Sequence, residues 1–356
     1  MHEKKLNRNS LRVLGAMSGT SADGIDFALT ELSAEGETIT HRVLAAETVG
    51  YSSQWLAQLR EAEQCSAERL AELHSLYGSH TGEEALRFLQ RHGLQADALA
   101  MHGHTLFHQP QRRFTFQLGS GAAAAAASEL VTVCDFRSTD VALGGQGAPL
   151  VPLGDRLLFS EADACLNLGG FANVSYETEA SRIAFDICAA NYVLNRLAQR
   201  LGKPYDESGK LAQSGKLIAP LFEQLERLPW YTKQPPKSLG REWVEAEIFP
   251  LLSENFEPED LLHTFTEHTA SQLSTACKNK GTVLITGGGA HNTYLLERCR
   301  YFGFTSQLIP NQQTIDFKEA VVFALLGWLR LQHSPNALGS VTGATKNSCG
   351  GAVYLP

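Results

Sequence analysis

The sequence predicts an α/β protein with two domains, and three observations support this fold class. The chain has 356 residues, which is enough for about two domains of typical size. A strand, a small polar turn and a second strand, followed by helices, occur near the N-terminus and again near residue 164. Hydrophobic residues form 43% of the chain and charged residues 19%, a balance typical of globular proteins with a substantial core.

The net charge and the cysteines exclude some classes of function. A net charge of −8 argues against a general binder of nucleic acid or of anionic membranes. The seven cysteines are odd in number and form no C-x-x-C pair, which indicates reduced thiols. No apolar segment follows the charged N-terminal residues, so we expect no signal peptide. We therefore expect a cytoplasmic protein without nucleic-acid or membrane partners, and the oligomeric state stays open, a homodimer included.

The first cycle of elements opens with a hairpin. Apolar residues such as Val13 and Leu14 lead into a polar turn, and a second strand begins near Ile25. Apolar residues at helical spacing, with few helix breakers, then predict a long helix over 67–91. The alanine-rich run 121–128 is too short to span a membrane and predicts a helix that packs tightly against a neighbour. Further strands are predicted at 42–49, 96–102, 114–118 and 131–136, with a glycine-rich loop at 144–149.

The second cycle repeats this layout from residue 164 onward. Its predicted strands are 164–168, 172–177, 183–187 and 283–286, and its predicted helices include 191–201 and a helix directly after Gly289. A strong apolar helix over 318–332 follows. We expect the first domain to contain residues 1–130 and a returning segment 338–356, and the second domain to contain residues 131–337.

The turn of the opening hairpin, SGTSADGID, combines glycines, hydroxyl residues and acids. Gly19 and Gly24 allow another group to approach the backbone closely. A turn of this kind holds a phosphate through N–H and hydroxyl groups, with an acid nearby to organise a metal ion. The alternative is an ordinary hairpin turn, because Ser, Asp and Gly are common in all turns. The turn is not a Walker P-loop, since no Gly-Lys-Ser/Thr is present.

Nine motifs carry a resemblance to a known family. They are GAMSGTSADGID (15–26), HGHTLFHQP (102–110), DFRSTDVALGGQGAPLVP (135–152), NLGGFANVS (167–175), YDESGKLAQSG (205–215), PPKSLGRE (235–242), TGGGAHN (286–292), DFKEAVVFALLG (316–327) and VTGAT (341–345). In this order they resemble the 1,6-anhydro-N-acetylmuramic acid kinases, within the superfamily of actin-like ATPases, sugar kinases and Hsp70. The resemblance implies two actin-like (ribonuclease H-like) ATPase domains that face a central cleft.

The resemblance also implies roles for individual residues. ATP is expected on Gly19, Thr20, Ser21, Ala22, Asp23, Gly24, Ile25 and Asp26, on Asn167, Gly169 and Gly170, and on Gly287, Gly288, Gly289 and Asn292. The sugar is expected on His102, His104, Asp135, Arg137, Gln146 and Asn191. Asp186 is the implied catalytic base and Glu319 a second catalytic acid, while Asp23 and Asp26 would hold Mg²⁺ through water. The implied reaction opens the 1,6-anhydro ring with water and phosphorylates O6, in the recycling of the cell wall.

Departures from the family pattern leave alternatives open. The family motif Thr-Gly-Pro-Gly-Asn is Ile-Cys-Ala-Ala-Asn at 187–191, and His104 replaces a glutamine. Asp186 has a second interpretation as the N-cap of the following helix. The segment with Lys237, Arg241 and Glu242 is either a solvated charge run or a flap. The alternative functions are a conventional sugar hydroxyl kinase and a non-catalytic nucleotide sensor.

Overall fold

The computed structural model describes residues 10–19, 24–36, 38–235 and 237–356. The chain forms two compact units, one containing Met1–Leu158 and Phe317–Pro356 and the other Phe159–Asp316. Each unit is built around one mixed β-sheet with helices packed on it. No helix among the described residues is long and apolar enough to cross a membrane.

The first unit contains the opening hairpin and most of the first cycle. Its strands are β1 (Ser10–Met17), β2 (Gly24–Glu35), β3 (Thr38–Gly50), β4 (Ala98–Met101), β5 (His104–Gln109), β6 (Phe114–Leu118), β7 (Val131–Cys134) and β13 (Ala352–Tyr354). Its helices are α1 (Ser53–Glu61), α2 (Ala67–His92), α3 (Gly121–Ser128), α4 (Ser138–Ala142), α5 (Val151–Leu158), most of α12 (Gln312–Leu331) and α13 (Gly339–Thr342).

The second unit contains the second cycle. Its strands are β8 (Ala164–Leu168), β9 (Phe171–Glu177), β10 (Arg182–Ala189), β11 (Val283–Thr286) and β12 (Gln307–Leu308). Its helices are α6 (Asn191–Gln199), α7 (Lys210–Ser214), α8 (Ala219–Glu226), α9 (Arg241–Glu247), α10 (Pro258–Cys277) and α11 (Thr293–Tyr301), with short 3-10 turns between them.

The two sheets share one topology. In the first, the order is β13-β7-β4-β1-β2-β3, where β1, β2 and β3 are antiparallel neighbours and β4 and β7 run parallel to β1. In the second, the order is β10-β9-β8-β11-β12, with the same directions. Five strands of each sheet thus follow the order third, second, first, fourth, fifth, as in a ribonuclease H-like domain, and β13 adds a sixth, antiparallel strand to the first sheet. The predicted α/β fold of two actin-like domains is confirmed, and so is the duplication of the layout.

The predicted tight packing of the alanine helix is confirmed. The long helix α2 begins after the capping hydroxyl of Ser66 and ends at Gly93, which adopts a left-handed φ of 62°. Two glycines on its inner face meet α3, because a Cβ added at Gly82 would lie 2.5 Å from the carbonyl oxygen of Ala124. A side chain at Gly78 would collide with the carbonyl oxygen of Ser120. Small residues on both helices therefore allow their backbones to approach closely.

The limits of the compact units differ from the domain boundaries that we expected. Strand β7 pairs with β4 and β13, so residues 131–158 group with the first unit rather than the second. Residues 317–337 also group with the first unit. The pairing of β7 within the first sheet decides where the first unit ends. No local pattern in the sequence near residue 131 indicates this boundary.

Candidate functional site

The described part of the opening hairpin is shaped by close packing. Residues 20–23, which include the predicted Thr20, Ser21, Ala22 and Asp23, lie outside the described residues. A Cβ at Gly24 would collide with the carbonyl oxygen of Val49, so only glycine fits at the start of β2. Ile25 is buried, and the Oδ1 atom of Asp26 accepts a hydrogen bond of 2.6 Å from the Thr48 hydroxyl.

A hydrogen-bond network lies at the start of this turn. The hydroxyl of Ser18 is 3.0 Å from His104 Nδ1 and 2.7 Å from the Tyr51 hydroxyl, which is 2.5 Å from the Tyr77 hydroxyl. Burial lowers the pKa of His104 below its usual value and favours the neutral ring. His104 therefore contacts Ser18 at the start of the opening hairpin's turn, and its expected role on the sugar remains a prediction.

The predicted sugar-side pair His102 and Arg137 forms one buried unit. His102 donates from Nδ1 to the carbonyl of Gly103 at 2.8 Å, and its Nε2 accepts from Nε and Nη2 of Arg137 at 3.0 and 2.9 Å. Burial and the Arg137 charge hold the pKa of His102 well below its usual range. Burial also lowers the pKa of Arg137 to about 10, which leaves it a cation at neutral pH. Arg137 is thus a charged group held in one orientation, with Nη1 bound to the Gly147 carbonyl at 2.7 Å.

The glycine-rich loop 144–149 is organised by a buried acid that the sequence interpretation did not select. Asp140 accepts from the backbone N–H of Gly147 at 2.8 Å and from the Thr342 hydroxyl at 2.7 Å. The backbone N–H of Gln146 donates to the Thr342 carbonyl at 2.8 Å. Asp140 belongs to the DFRSTD motif and Thr342 to the VTGAT motif, and both motifs are recognisable in the sequence. No local pattern in the sequence shows that these two residues form a hydrogen bond. Gln146 is therefore held by its backbone.

A cavity of about 220 Å³ in the first unit gathers two of the predicted sugar-side residues, His102 and Asp135. Asp135 has a left-handed φ of 57°, and its Oδ1 accepts from the Ser138 hydroxyl at 2.5 Å. The remaining polar lining includes His74, Gln117, Ser138 and Tyr354.

Glu319 lies near the start of the part of α12 that belongs to the first unit. Its neighbour Lys318 is buried and forms an ion pair of 3.1 Å with Asp155 of α5. Although part of the Glu319 side chain reaches solvent, desolvation by the surrounding protein raises its pKa, and the charges of Lys318 and Arg137 oppose this. The predicted Glu319 and Arg137 are thus close enough for their charges to interact.

In the second unit, the predicted nucleotide residues meet at one edge of the sheet. Strands β8 and β11 are parallel neighbours, with Asn167 opposite Thr286, so their carboxyl ends lie together. Gly287 has a φ of 81°, and a Cβ there would lie 2.6 Å from Oδ1 of Asn167. A Cβ at Gly289 would lie 2.6 Å from that of Leu168. These glycines are required because two loops approach each other closely.

The second hairpin turn is tied to the start of α6. The carbonyl of Gly170 accepts from the backbone N–H of Ala190 at 2.9 Å, and the carbonyl of Gly169 accepts from Asn191 at 3.2 Å. The side-chain amide of Asn191 donates to the Leu168 carbonyl at 3.1 Å. Cys188 and Ala190, which replace the two glycines of the family motif, are fully buried here. The fold therefore accommodates the departure from the family motif.

A cavity of about 470 Å³ lies beside this edge, within the usual range for small-molecule sites. Its lining includes the predicted Asn191, Gly288 and Asn292. It also includes Tyr205, Asp206, Glu207 and Ser208 of the YDESGK motif, to which we had assigned no role. The helix expected directly after Gly289 begins later, because a 3-10 turn Gly288–His291 intervenes and Asn292 caps α11 by accepting from the N–H of Leu295 at 3.0 Å.

Asp186 lies within strand β10, and the interpretation of this residue as a helix cap is wrong. The N-cap of α6 is Ala190, and no side chain caps that helix. The Oδ2 atom of Asp186 instead accepts from the backbone N–H of Leu239 at 2.7 Å and from the Ser238 hydroxyl at 3.3 Å. Its own N–H donates to the Lys237 carbonyl at 3.1 Å. The segment 237–239 therefore packs against Asp186 and is not a simple solvated charge run.

The environment of Asp186 makes its carboxylate a stronger proton acceptor than an ordinary aspartate. Burial raises its pKa above the ordinary aspartate value, while the donors on Leu239 and Ser238 lower it. Among the described residues, no group of three His, Cys, Asp or Glu side chains could hold a metal ion.

Two comparisons with known proteins identify one family. The family model of anhydro-N-acetylmuramic acid kinase matches residues 11–356. An anhydro-N-acetylmuramic acid kinase of Coxiella burnetii (strain Dugway 5J108-111) is 34% identical over 364 residues, covering 96% of this chain and 97% of its own. One of Saccharophagus degradans is 35% identical over 375 residues, covering 96% and 98%. The resemblance is thereby confirmed, and the chain belongs to the anhydro-N-acetylmuramic acid kinase family.

Proposed function

We propose that this kinase opens the 1,6-anhydro ring of 1,6-anhydro-N-acetylmuramic acid with water and transfers the γ-phosphoryl group of ATP to O6. The product is N-acetylmuramic acid 6-phosphate, which places the reaction in cell-wall recycling in a bacterial cytoplasm. The observation that carries the proposal is the half-buried Asp186 carboxylate, held through one oxygen and raised in pKa. A raised pKa makes a carboxylate a stronger general base.

In the proposed reaction, one base serves both the opening of the ring at C1 and the phosphorylation of O6. Asp186 takes a proton from the water whose oxygen bonds to C1, and the C1–O6 bond breaks. O6 then bonds to the γ-phosphorus, and the bond from that phosphorus to the bridging oxygen breaks to release ADP. General-base assistance contributes about 10²–10⁴ in rate. The rest comes from positioning and from groups that neutralise phosphate charge.

The two oxygens of Asp186 have different surroundings. Oδ2 is occupied by the N–H of Leu239 and the hydroxyl of Ser238. Within the described part of the chain, Oδ1 has no hydrogen-bond partner of its own. We therefore assign Oδ1 as the atom that receives the proton, while Oδ2 keeps the carboxylate in place.

ATP contacts are proposed for both units. In the first, the loop 19–26 would hold phosphate through N–H and hydroxyl groups. In the second, Asn167, Gly169 and Gly170 would hold phosphate, and the 470 Å³ cavity beside Gly288 would accept the adenosine. Tyr205 and Ser208, which line this cavity, are also proposed to contact the nucleotide.

Asp26 and Asp23 are the residues proposed to hold Mg²⁺ through water. Carboxylate oxygen is the donor that this ion prefers, and magnesium sites commonly use only one or two protein carboxylates. Asp26 fits, because its carboxylate is oriented by the Thr48 hydroxyl at the base of the hairpin. When bound, the ion would neutralise charge on the phosphates.

Mg²⁺ and ATP together are expected to raise the melting temperature, because a ligand that binds only the folded state stabilises it by about 2.7 kcal/mol at 100 times its Kd. Asp23→Ala should weaken that shift. Glu179→Ala, which changes an exposed acid in the turn between β9 and β10, should leave it unchanged. Differential scanning fluorimetry measures both. An Asp23→Ala protein with the full native shift would remove Asp23 from the site.

Product analysis in ¹⁸O-water tests the proposed reaction. Ring opening by water places the label at C1 of the phosphorylated sugar, whereas a conventional hydroxyl kinase leaves C1 unlabelled. Because the product's anomeric oxygen also exchanges with water, unlabelled product incubated for the same time is the control. Label above that control supports the proposal, and ADP release without label supports the conventional kinase. No ADP release with the anhydro sugar supports the nucleotide sensor.

A further inference from the structure

Strand β10 contains a bulge directly after Asp186. Asp186 pairs with Asn173 of β9 and Cys188 pairs with Ala172, so Ile187 is an extra residue without a partner in the ladder. Burial changes at this point, since residues 183–186 are half-buried whereas Ile187, Cys188 and Ala189 are all buried. A bulge changes the direction in which neighbouring side chains point. The geometry at Ile187 therefore determines where the Asp186 carboxylate is aimed.

The carbonyl of this extra residue is bound by Trp230. The indole Nε1–H of Trp230 donates to the Ile187 carbonyl at 2.9 Å, and the Trp230 residue is only 5% exposed. A buried carbonyl without a partner is unfavourable, so this bond stabilises the bulge in one conformation. Trp230 itself lies in the 3-10 turn Pro229–Thr232, 43 residues away in the sequence.

A second connection joins Trp230 to Asp186 through Lys237. The Lys237 ammonium lies 5.1 Å from the centre of the Trp230 ring and donates to the Trp230 carbonyl at 3.4 Å. The carbonyl of Lys237 accepts the backbone N–H of Asp186 at 3.1 Å. The same segment supplies the Leu239 N–H that holds Oδ2. Trp230 thus acts on Asp186 from the bulge and from the segment 237–239.

We infer that Trp230 is a positioning residue for the catalytic base. It touches neither substrate nor reacting atoms in this scheme, and it acts by holding the bulge that aims the Asp186 carboxylate. The inference rests on the proposed role of Asp186. It also explains how a base can be held rigidly although the family glycines after it are replaced by Cys188 and Ala190.

Trp230→Phe tests this inference, because phenylalanine keeps an aromatic ring beside Lys237 but has no N–H. Misplacing a catalytic group by about 1 Å can cost about 100-fold in rate, so we expect kcat to fall at least about 10-fold. The KM for ATP should stay within about twofold. Ser274→Ala is the matched control, since it also removes one buried side-chain bond to a carbonyl, from Ser274 to Cys299 at 3.0 Å. It should lower the melting temperature and keep kcat.

A double variant separates positioning from a general loss of structure. If Trp230 acts only through Asp186, adding Trp230→Phe to Asp186→Asn should change kcat less than twofold. An unchanged kcat in Trp230→Phe, or a full further loss in the double variant, would overturn the inference and leave Asp186 as the base. Should Trp230→Phe not fold, Lys237→Met tests the second connection and is expected to lower kcat about threefold. A native kcat in Asp186→Asn would instead overturn the proposed function itself, together with this inference.

Discussion

The Asp186→Asn enzyme is expected to turn over about 10²–10⁴ times more slowly than the native enzyme while it still binds ATP. Asparagine has nearly the same size, and its side-chain oxygen can still accept the Leu239 N–H, so the segment 237–239 should stay in place. It cannot accept the proton of the attacking water. ATP binding should survive, because the proposed phosphate contacts are made by other residues.

The competing interpretation is that Asp186 only anchors the segment 237–239. Asparagine would then serve equally well, and turnover would remain near the native value. Asp163→Asn is a matched control, because Oδ2 of Asp163 also accepts a backbone N–H, from Thr282 at 2.7 Å, in the same unit. Steady-state ADP release and the thermal shift with ATP measure the two properties separately. Native turnover in the Asp186→Asn protein would refute the general-base mechanism.

The pH dependence of turnover provides a second readout of Asp186. Its pKa is raised by burial, so the fraction in the deprotonated, active form falls at a higher pH than for an ordinary aspartate. Ser238→Ala removes a donor that stabilises the charged carboxylate, which raises this pKa further. The acid limb of kcat should therefore move to higher pH in Ser238→Ala. An acid limb that moves to lower pH would contradict this assignment.

Asp155→Ala is expected to destabilise the first unit by about 3–5 kcal/mol. Asp155 and Lys318 form an ion pair of 3.1 Å in which both side chains are 4% exposed, linking α5 to α12. Removing the carboxylate leaves the ammonium buried beside fewer negative groups, and desolvating such a charge is costly. Urea unfolding, followed by circular dichroism, measures the loss.

An exposed pair on α2 provides the control for this experiment. Glu83 and Arg87 are each 52% exposed and 3.1 Å apart, and Glu83→Ala should cost less than about 0.5 kcal/mol. High salt should reduce the effect of Glu83→Ala further but change that of Asp155→Ala little, since buried pairs are screened weakly. A loss below about 1 kcal/mol in Asp155→Ala would show that the pair is not a major link between the two helices.

The sequence by itself determined the features that depend on neighbouring residues. Apolar periodicity located the long helix α2 and strands such as β8 and β11, because period and burial are coupled within a few residues. The alanine run identified a tightly packed helix. The order of the motifs was enough to identify the family. Each of these signals comes from neighbouring residues or from the order of motifs along the chain. A single sequence is therefore sufficient to detect them.

Only the tertiary structure decided which distant residues meet. Asp186 was expected at a strand end, but it lies within β10 and binds Leu239, 53 positions away. Asp140 meets Thr342 across 202 positions, and the indole of Trp230 binds the bulge at Ile187. Hydrogen bonds of this kind join residues far apart in the sequence, and many other donors in the sequence could satisfy the same acceptors. The choice among them is made by how the strands and loops pack, which local patterns in the sequence do not encode.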